Sequence, residues 1–416
     1  MKYILEPHVI LRSEPQYYNT YAAFHWERAE TRLLEEDEFR VMELIYDEPL
    51  DVDEIASPMG MRLEDCKDIL NGFDDGGFVT GYKPGMKMSA PKRVDVDPGL
   101  FKGFEVPFPS AHISVDIFIT SRCNLRCRHC FSNSGERRED IPLKKFRALL
   151  DEMEALGVFE VRLNGGEPLA HPSIKEILLD LSQRRLRRVM ITNGTLLNHE
   201  KVDLLKSSRT IPTVSLDDSR PEGHDALRGV KGAFKRTLRG MRLLEGEGIE
   251  YGINTCLHRG NLARAGEIVD LAARYGASRI ALLDLKDVGR MREHGELIPS
   301  PEEYRRAAKG LQMIRSITKG TDVSLDLYMR CNPLRESMDE LRRGYVTCSA
   351  GKTRLSIDSD GGVYPCNLVL SDPKWLMGSI RERSLKHIWL SEKMTLFQGR
   401  GTTPRLGTLQ RLPEGR

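Results

Sequence analysis

The sequence predicts an α/β protein: a partial (β/α)6 TIM-like barrel with an N-terminal winged-helix-like domain and a small C-terminal α+β extension. Three observations predict it. From about residue 110, strand-like runs alternate with helical patterns through about six units, short of the eight of a closed barrel. Before residue 85, helical patterns lead into a terminal strand. After residue 326, alternating residues flank Asp360-Gly361-Gly362, as expected of a hairpin.

The N-terminal domain is predicted to span residues 1–85. Short strands are expected first, and three helical patterns then precede a last strand near Thr80. The second helix has an acidic first turn, which suits the helix dipole. Residues 86–109 are rich in proline and glycine and are predicted to be a linker.

The barrel is predicted over residues 110–325 and the extension over 326–416. Regular β-α alternation predicts a parallel sheet with right-handed crossovers. The predicted strands and helices are, in order, 113–120, 144–156, 159–164, 174–184, 188–192, 200–207, 213–217, 233–247, 251–257, 263–275 and 279–285.

Charge and hydropathy exclude two function classes. The 416 residues carry 63 Lys+Arg and 61 Asp+Glu, a net charge of +2, which gives no basic excess for nucleic acid binding. No apolar run approaches the roughly 18–20 residues needed to span a bilayer. The N-terminus lacks the apolar region of a signal peptide, so we expect a cytoplasmic protein without membrane contact.

Eight cysteines are distributed unevenly along the chain. In a reducing compartment, clustered cysteines indicate a metal site or catalysis rather than disulfides. Cys66 and Cys256 stand alone and are predicted to be core residues.

Three cysteines, Cys123, Cys127 and Cys130, follow the first barrel strand with the spacing C-x3-C-x2-C. Three thiolates bind three irons of a four-iron cluster and leave the fourth iron open for a small molecule. Because ligands bind at the carboxyl ends of parallel strands, the cluster is expected at the barrel mouth. A structural zinc site is the alternative, although His129 is poorly placed as its fourth ligand beside Cys130.

The second barrel strand ends in Gly165-Gly166-Glu167-Pro168. Two glycines let the backbone approach a ligand closely, and Glu167 offers a carboxylate. This loop suits an ammonium group on a small ligand, although alone it is also compatible with an ordinary tight turn.

Together, the cysteine spacing and the Gly-Gly-Glu-Pro loop resemble the radical S-adenosylmethionine (SAM) superfamily over residues 113–290. The resemblance implies a 4Fe-4S cluster on the three cysteines and SAM on its open iron. It further implies that SAM is cleaved reductively to a 5′-deoxyadenosyl radical, with an electron donor such as flavodoxin or ferredoxin. The implied SAM-binding residues are His129, Gly165, Gly166, Glu167, Pro168, Asn193, Ser215, Asp217 and Asn254.

The N-terminal pattern resembles the peptide-chaperone domain called a RiPP recognition element. That resemblance implies a leader peptide bound by strand addition to a sheet edge. A DNA-binding winged helix is the alternative, but the acidic helices argue against phosphate contact.

The C-terminal pattern around Cys348 and Cys366 resembles the SPASM domain, which carries auxiliary iron–sulfur clusters. Cys331 is a candidate further ligand. No cysteine follows Cys366, so the domain is expected to be degenerate or truncated, with an auxiliary cluster possible; core cysteines of a hairpin are the alternative.

Three functions remain open from the sequence. The first is a radical SAM maturase that modifies a peptide, and the fused N-terminal domain favours it. The second is a radical SAM enzyme acting on a small molecule such as a tetrapyrrole, as in haem biosynthesis. The third is a non-catalytic iron–sulfur sensor of redox state or iron, for which a SAM ammonium loop has no use.

Overall fold

The computed structural model describes residues 1–6, 8–14, 20–25, 30–84, 92–95, 114–136, 139–307, 321–326, 350–351, 354–370 and 372–394. These residues form two compact units. The first contains the described residues up to 95 together with Asp151–Phe159 and Arg185–Arg187, and the second contains the others from Ser114 onward. Within the described residues, no helix is long and apolar enough to cross a membrane.

The first unit contains two small sheets and three helices. Strands β1 (Lys2–Leu5), β5 (Leu50–Asp51) and β6 (Val79–Gly81) form a three-stranded sheet in the order β5-β1-β6. A four-stranded sheet has the order β4-β3-β2-β7, from β2 (Val9–Glu14), β3 (Thr20–His25), β4 (Glu30–Leu34) and β7 (Lys92–Asp95). The helices are α1 (Glu36–Leu44), α2 (Val52–Met59) and α3 (Leu63–Asp75).

Local sequence explains these three helices. The Asp51 side chain accepts a hydrogen bond from the Glu54 backbone N–H, and the Glu54 carboxylate accepts one from the Asp51 N–H, so α2 begins with a reciprocal capping box. The helices bury one apolar face each, including the fully buried Val41, Ile55 and Leu70. The predicted N-terminal helices are therefore confirmed, whereas the predicted linker contains a strand, β7, paired parallel to β2.

The second unit is built on a ten-stranded sheet in the order β14-β13-β12-β11-β10-β9-β8-β15-β16-β17. Its strands are β8 (Ser114–Thr120), β9 (Glu160–Gly165), β10 (Arg187–Thr192), β11 (Ile211–Ser215), β12 (Gly252–Leu257), β13 (Arg279–Asp284), β14 (Asp322–Asp326), β15 (Arg354–Ile357), β16 (Gly362–Tyr364) and β17 (Gly378–Ser379). Strands β8–β14 are adjacent in chain order, and the pairs β8/β9, β10/β11, β11/β12, β12/β13 and β13/β14 are parallel.

Helices follow the barrel strands as predicted: α4 (Leu143–Ala155), α5 (Ile174–Ser182), α6 (His199–Ser207), α7 (Pro221–Arg228), α8 (Ala233–Gly246) and α9 (Ala265–Arg274). A further helical stretch covers residues 301–307. The α/β partial barrel is confirmed, and β14 adds a seventh strand to the six that were predicted.

The C-terminal residues extend the barrel sheet. Strand β15 pairs parallel to β8, with Arg354 opposite Ser114, and antiparallel to β16, so the predicted hairpin is confirmed. A short helix, Leu385–Trp389, follows β17. Leu385 and Trp389 are buried, which fixes this helix to the extension.

Candidate active site

The three clustered cysteines lie together in the loop after β8. Cys127 is buried, Cys123 and Cys130 are half-buried, and all three are free thiols. They share one apolar cluster with Leu125, Val230 and Ala233. The loop begins where β8 ends, so the parallel sheet itself places the thiols at the carboxyl ends of its strands.

The end of α7 holds the middle of this cysteine loop. The backbone N–H of Arg126 donates to the Arg228 carbonyl at 3.1 Å, and that of Arg128 donates to the Leu227 carbonyl at 2.9 Å. Gly229, at φ +71°, allows this approach, because a Cβ there would lie 2.3 Å from the Arg126 carbonyl oxygen. The contact fixes the backbone on both sides of Cys127.

Arg290 holds the other side of the loop. Its backbone N–H donates to the Cys130 carbonyl at 3.0 Å, and its Nε donates to the Cys127 carbonyl at 3.0 Å. The same guanidinium donates to the Ser134 carbonyl through Nη1 at 3.0 Å. Sequence reasoning missed this residue, since its partners lie more than 150 positions away and no local pattern marks it.

Arg228 joins the cysteine loop to a buried carboxylate. Its Nη1 donates to the Sγ of Cys127 at 3.7 Å, and its Nη2 lies 2.5 Å from Oδ2 of Asp217. Burial raises the pKa of the Cys127 thiol, and the guanidinium opposes that shift. Burial also disfavours the Asp217 anion, but Arg228 outweighs it and lowers the pKa of Asp217 to about 2.

Asp217 is fully buried beside Arg228. Its Oδ1 accepts the Cys256 backbone N–H at 2.9 Å, and its Oδ2 forms an ion pair with Arg228 but accepts no hydrogen bond from a described protein group. Asp217 therefore supports Arg228, and its predicted role in SAM binding stays a prediction. Cys256 is half-buried rather than a core residue, with Sγ within 4.8 Å of the ligand atoms of Asp217 and His129; Cys66 is fully buried as predicted.

The Gly-Gly-Glu-Pro loop lies directly against the cysteine loop. The Gly166 N–H donates to the Thr120 carbonyl at 2.8 Å, and the Glu167 N–H donates to the Arg122 carbonyl at 2.8 Å. A Cβ on Gly166 would lie 2.2 Å from the Arg122 carbonyl oxygen and 2.9 Å from Cβ of Cys123. Pro168 begins a buried 3-10 turn, Pro168–Ala170, that ends the loop. Backbone hydrogen bonds and the close approach at Gly166 therefore bring the two motifs together, as the sequence predicted.

Glu167 is fully buried, and protein groups occupy its carboxylate. Oε1 accepts from the Thr192 hydroxyl at 2.6 Å and the Leu169 N–H at 3.2 Å, and Oε2 accepts the Asn193 N–H at 2.8 Å. The carboxylate connects β9 to the end of β10. An ammonium group at this loop is left with backbone carbonyls as its acceptors.

Asn193 links the β10 loop to the cysteine loop. Its Nδ2 donates to Oδ1 of Asn124 at 3.0 Å, and Asn124 donates to the Thr195 hydroxyl at 2.8 Å. The Asn193 amide oxygen accepts from the Thr195 N–H at 2.9 Å. Three successive strand-end loops are therefore connected by hydrogen bonds around the thiols.

Ser215, the last residue of β11, is the register partner of Asn254, the third residue of β12. Both are half-buried. Within the described residues, neither side chain hydrogen bonds to a protein group. Their polar groups are therefore available for a ligand.

Unpartnered buried nitrogens collect beside Asp217 and Arg228. They are Nδ1 of His129, Nε2 of His224, Nε2 of His258 and Nε of Arg228. Burial lowers the pKa of His129 to about 3 and that of His224 to about 4, so both rings are neutral at physiological pH. Buried polar atoms without protein partners indicate a site completed by something other than protein.

These residues fit an iron–sulfur cluster and SAM. Three thiol ligands suit a soft metal centre and leave one coordination position for a small molecule. Gly166 keeps the neighbouring loop within contact distance, and the free side chains of Ser215 and Asn254 supply hydrogen-bonding groups. Burial raises the pKa of Cys123 to about 12, so iron must displace a proton from this thiol on binding.

The predicted auxiliary site is described only in part. Cys366 follows β16, half-buried, and its Sγ accepts the Leu368 N–H at 3.5 Å. Cys331, Cys348 and the segment predicted to be a degenerate SPASM tail lie outside the described residues.

Two protein-family models match the segments that contain the clustered cysteines and the C-terminal cysteines Cys348 and Cys366. Residues 117–272 match the radical SAM superfamily, and residues 348–408 match the SPASM iron-sulfur cluster-binding domain. An AdoMet-dependent heme synthase of Methanosarcina barkeri is 31% identical over 288 residues, 65% of this chain and 80% of that protein. The chain belongs to the radical SAM superfamily. The superfamily cofactors are a 4Fe-4S cluster and SAM, and SPASM domains bind auxiliary iron–sulfur clusters.

Two further similarities concern peptides. The PqqA peptide cyclase of Gluconobacter oxydans is 27% identical over 302 residues, 71% of this chain and 82% of that enzyme. The crystal structure of Streptococcus suis SuiB bound to precursor peptide SuiA has a TM-score of 0.71 and 18% identity, covering 95% of this chain and 90% of SuiB. The radical SAM chain and SuiB therefore share a fold.

Proposed function

We propose that this radical SAM enzyme modifies a peptide that it recognises through residues 1–85. The Gluconobacter oxydans relative is a peptide cyclase by name, and SuiB was crystallised with its precursor peptide. The observation that carries the proposal is the extent of the structural likeness to SuiB. It covers 95% of the chain and therefore includes most of residues 1–85.

The first unit offers a sheet edge for a peptide. Strand β4 lies at the outer position of the order β4-β3-β2-β7, so among the residues that the structure describes its outer backbone groups have no strand partner. Arg32 of β4 donates to the Gly72 carbonyl of α3 at 3.0 Å and stacks on Phe73, which holds α3 beside this strand. An extended leader peptide adding to β4 gains main-chain hydrogen bonds there and side-chain contacts from α3.

In the proposed active site, Cys123, Cys127 and Cys130 hold the 4Fe-4S cluster. When bound, the cluster and SAM together supply a 5′-deoxyadenosyl radical that removes a hydrogen atom from the substrate. The backbone carbonyls of Gly165 and Gly166, positioned by Glu167 and Pro168, would accept from the SAM ammonium group. Ser215 and Asn254 would bind the ribose and carboxylate, and His129 would contact the adenine.

Other residues act on this site indirectly. Asn193 keeps the strand-end loops in register, and Asp217 keeps Arg228 at Cys127. A primary carbon radical reacts with whatever group lies nearest to it. Burial of these loops excludes water and so protects the radical from such side reactions. In the extension, we assign Cys348 and Cys366, with Cys331 as a candidate third ligand, to an auxiliary cluster.

A tetrapyrrole is the second candidate substrate. The 31% identity to an AdoMet-dependent heme synthase is the observation that favours it. A peptide can add to a strand edge of the first unit, whereas a tetrapyrrole cannot. Deletion of residues 1–85 should therefore abolish activity on a peptide substrate and spare activity on a tetrapyrrole.

Anaerobic assays of SAM cleavage and peptide modification test the proposal. The reconstituted chain is expected to bind about four irons at the first site and to form 5′-deoxyadenosine, and joint Ala substitution of Cys123, Cys127 and Cys130 abolishes both. Short peptides encoded beside the gene are then tested for a mass change. Deleting residues 1–85 should spare SAM cleavage and remove the mass change. Equal modification of the peptide by the deletion variant would refute recognition by the first unit, and deoxyadenosine from the triple variant would refute the cluster assignment.

A further inference from the structure

Two buried polar atoms on neighbouring barrel strands lack hydrogen-bond partners. Asp116 is the third residue of β8, and Ser356 is its register partner on β15. The two residues are only 3% and 0% exposed. Oδ2 of Asp116 and Oγ of Ser356 nevertheless have no hydrogen-bond partner among the described residues. Because an unpaired buried polar atom costs about 1–3 kcal/mol, two of them side by side indicate a group that the protein itself does not supply.

The face of β8 that carries Asp116 is the face that contacts the cysteine loop. Side chains alternate along a strand, so Asp116 shares its face with Phe118. The ring of Phe118 lies edge-to-face with that of Phe131, which follows Cys130 directly, and the two centroids are 5.9 Å apart. The residues of β8 between them in sequence are apolar and buried. A substrate group at Asp116 would therefore lie on the same side of the sheet as the radical site, about 7 Å along the strand from Phe118.

Neighbouring side chains orient the Asp116 carboxylate without pairing both of its oxygens. Nδ2 of Asn164, near the end of β9, donates to Oδ1 of Asp116 at 3.0 Å. Nε of Arg354 lies 3.7 Å from Oδ2, too far for a hydrogen bond, and donates to the Ser114 hydroxyl at 3.3 Å. Oδ2 is therefore held in place while its own hydrogen bond stays unmade.

The charges around the two atoms identify the kind of group that fits. Among the described neighbours, Asp116 pairs with Arg354 and Glu160 pairs with Arg162, so the charges balance and a charged ligand would disturb them. Oδ2 of Asp116 accepts a hydrogen bond, and the Ser356 hydroxyl can donate one. A neutral group that donates and accepts satisfies both atoms. A carboxamide does so with its N–H on Asp116 and its carbonyl on Ser356, and a hydroxyl does so through one oxygen.

We propose that Asp116 and Ser356 form a substrate subsite for a carboxamide or hydroxyl side chain of the peptide that is modified. The inference rests on the proposed peptide function and names the class of side chain that the barrel selects. An aliphatic side chain would leave both polar atoms unpaired, and a carboxylate would bring a second negative charge to Asp116. Because Ser356 belongs to the C-terminal extension, the subsite is complete only when β15 is paired with β8.

Three model compounds test the subsite in the full-length reconstituted enzyme, with SAM present and no reductant. N-acetyl-glutamine methylamide carries a carboxamide and N-acetyl-threonine methylamide a hydroxyl, whereas N-acetyl-leucine methylamide has the same backbone groups and neither side-chain group. Saturation-transfer NMR measures the dissociation constant of each compound. Ser356→Ala removes the unpaired hydroxyl. Ser208→Ala is the matched control, because Ser208 is also buried but its hydroxyl donates to the Leu205 carbonyl at 3.2 Å.

The glutamine or the threonine compound is expected to bind the parent enzyme about tenfold more tightly than the leucine compound, and the tighter of the two distinguishes a carboxamide from a hydroxyl. Ser356→Ala should weaken that compound about fivefold or more, without lowering the unfolding temperature, because the lost hydroxyl bonds to no protein group. Ser208→Ala should lower the unfolding temperature and keep the affinity.

Equal binding of the three compounds by the parent enzyme, or binding of none, would overturn the subsite. An unchanged affinity in Ser356→Ala would do the same, and so would a lowered unfolding temperature, which would show that the hydroxyl is bonded within the folded protein. A parent enzyme that cleaves SAM but modifies no peptide would instead refute the proposed function, which is a separate outcome.

Discussion

The guanidinium of Arg228 donates to the Sγ of Cys127 at 3.7 Å from the buried end of α7. Through its other terminal nitrogen it contacts Asp217 at 2.5 Å. A hydrogen bond to a cysteine ligand stabilises the more negative, reduced state of an iron–sulfur cluster and raises its reduction potential. The carboxylate of Asp217 offsets the charge of Arg228, so the N–H···S bond contributes with little net charge added.

We predict that the double variant Arg228→Met, Asp217→Asn lowers the reduction potential of the first cluster. It removes the N–H···S bond and, by removing both charges, leaves the net charge unchanged. One charge-assisted hydrogen bond of about 1.5 kcal/mol corresponds to a shift on the order of 60 mV for a one-electron couple. Redox titration followed by electron paramagnetic resonance measures it. The double variant Arg264→Met, Asp218→Asn removes a similar ion pair that does not contact the cysteines, and a comparable shift there would contradict the role of Arg228.

We predict that Asp217→Asn alone destabilises the barrel, because it leaves Arg228 buried without its counter-charge. Breaking a buried ion pair in this way costs about 3–5 kcal/mol. The pKa of Asp217 is lowered to about 2 from 3.8, so its stabilisation is present above about pH 4 and is lost as pH falls toward 2. Thermal unfolding of the metal-free protein should therefore lose part of its acid dependence between pH 4 and 2 in the variant. An unchanged pH profile and an unchanged midpoint would contradict this account of the pair.

We predict that Gly229→Ala prevents assembly of the cluster. Its Cβ would lie 2.3 Å from the Arg126 carbonyl oxygen, and the residue has φ +71°. Gly248 is a matched control with φ +64° and no atom within 4 Å of its Cβ position, so Gly248→Ala carries the backbone strain alone, about 1–2 kcal/mol. Iron content per chain after anaerobic reconstitution should fall in the first variant and stay near the parent value in the second. Equal iron content in the Gly229→Ala and Gly248→Ala variants would contradict the prediction, because the cluster would then assemble even when the loop at Arg126 is displaced.

We predict that Glu167 acts on SAM by positioning its loop. Glu167→Gln places an amide N–H against one of three donors, from Leu169, Thr192 and Asn193, and should weaken SAM binding about tenfold or more while iron content is retained. Thr192→Val removes only the hydroxyl donor and leaves the carboxylate intact. A smaller loss of SAM affinity in Thr192→Val, measured by equilibrium dialysis, supports positioning. Full affinity in Thr192→Val with a large loss in Glu167→Gln would indicate direct contact between the carboxylate and SAM.

Local patterns predicted most of the barrel, because strand and helix periodicity are local properties. The bounds of β8, β12 and α6, for example, agree with the sequence within one residue. Motif spacing also predicted that Cys123 and Gly166 would come together, since both follow neighbouring parallel strands. Sequence reasoning assigned no role to Arg228.

The contacts that order the site were beyond local reasoning. Arg290 reaches Cys127 across 163 positions, and Glu167 reaches Asn193 across 26, so each depends on the closed fold. Glu167 was assigned to the SAM site from its loop and the family resemblance, and Asp217 from the resemblance alone. The structure adds that both carboxylates are fully buried and are held by protein groups, because burial of a carboxylate requires compensating donors or charges.

Strand β15 pairs with β8, and β8 leads directly into the cysteine loop. The extension is thus not a removable module, because truncation before Arg354 would uncover the backbone edge of the very strand that carries the first cluster ligands. An exposed parallel edge invites self-association. The extension and the strand that leads into the cysteine loop share one hydrogen-bonded ladder, so a change in the extension is transmitted directly to the backbone that positions the thiols.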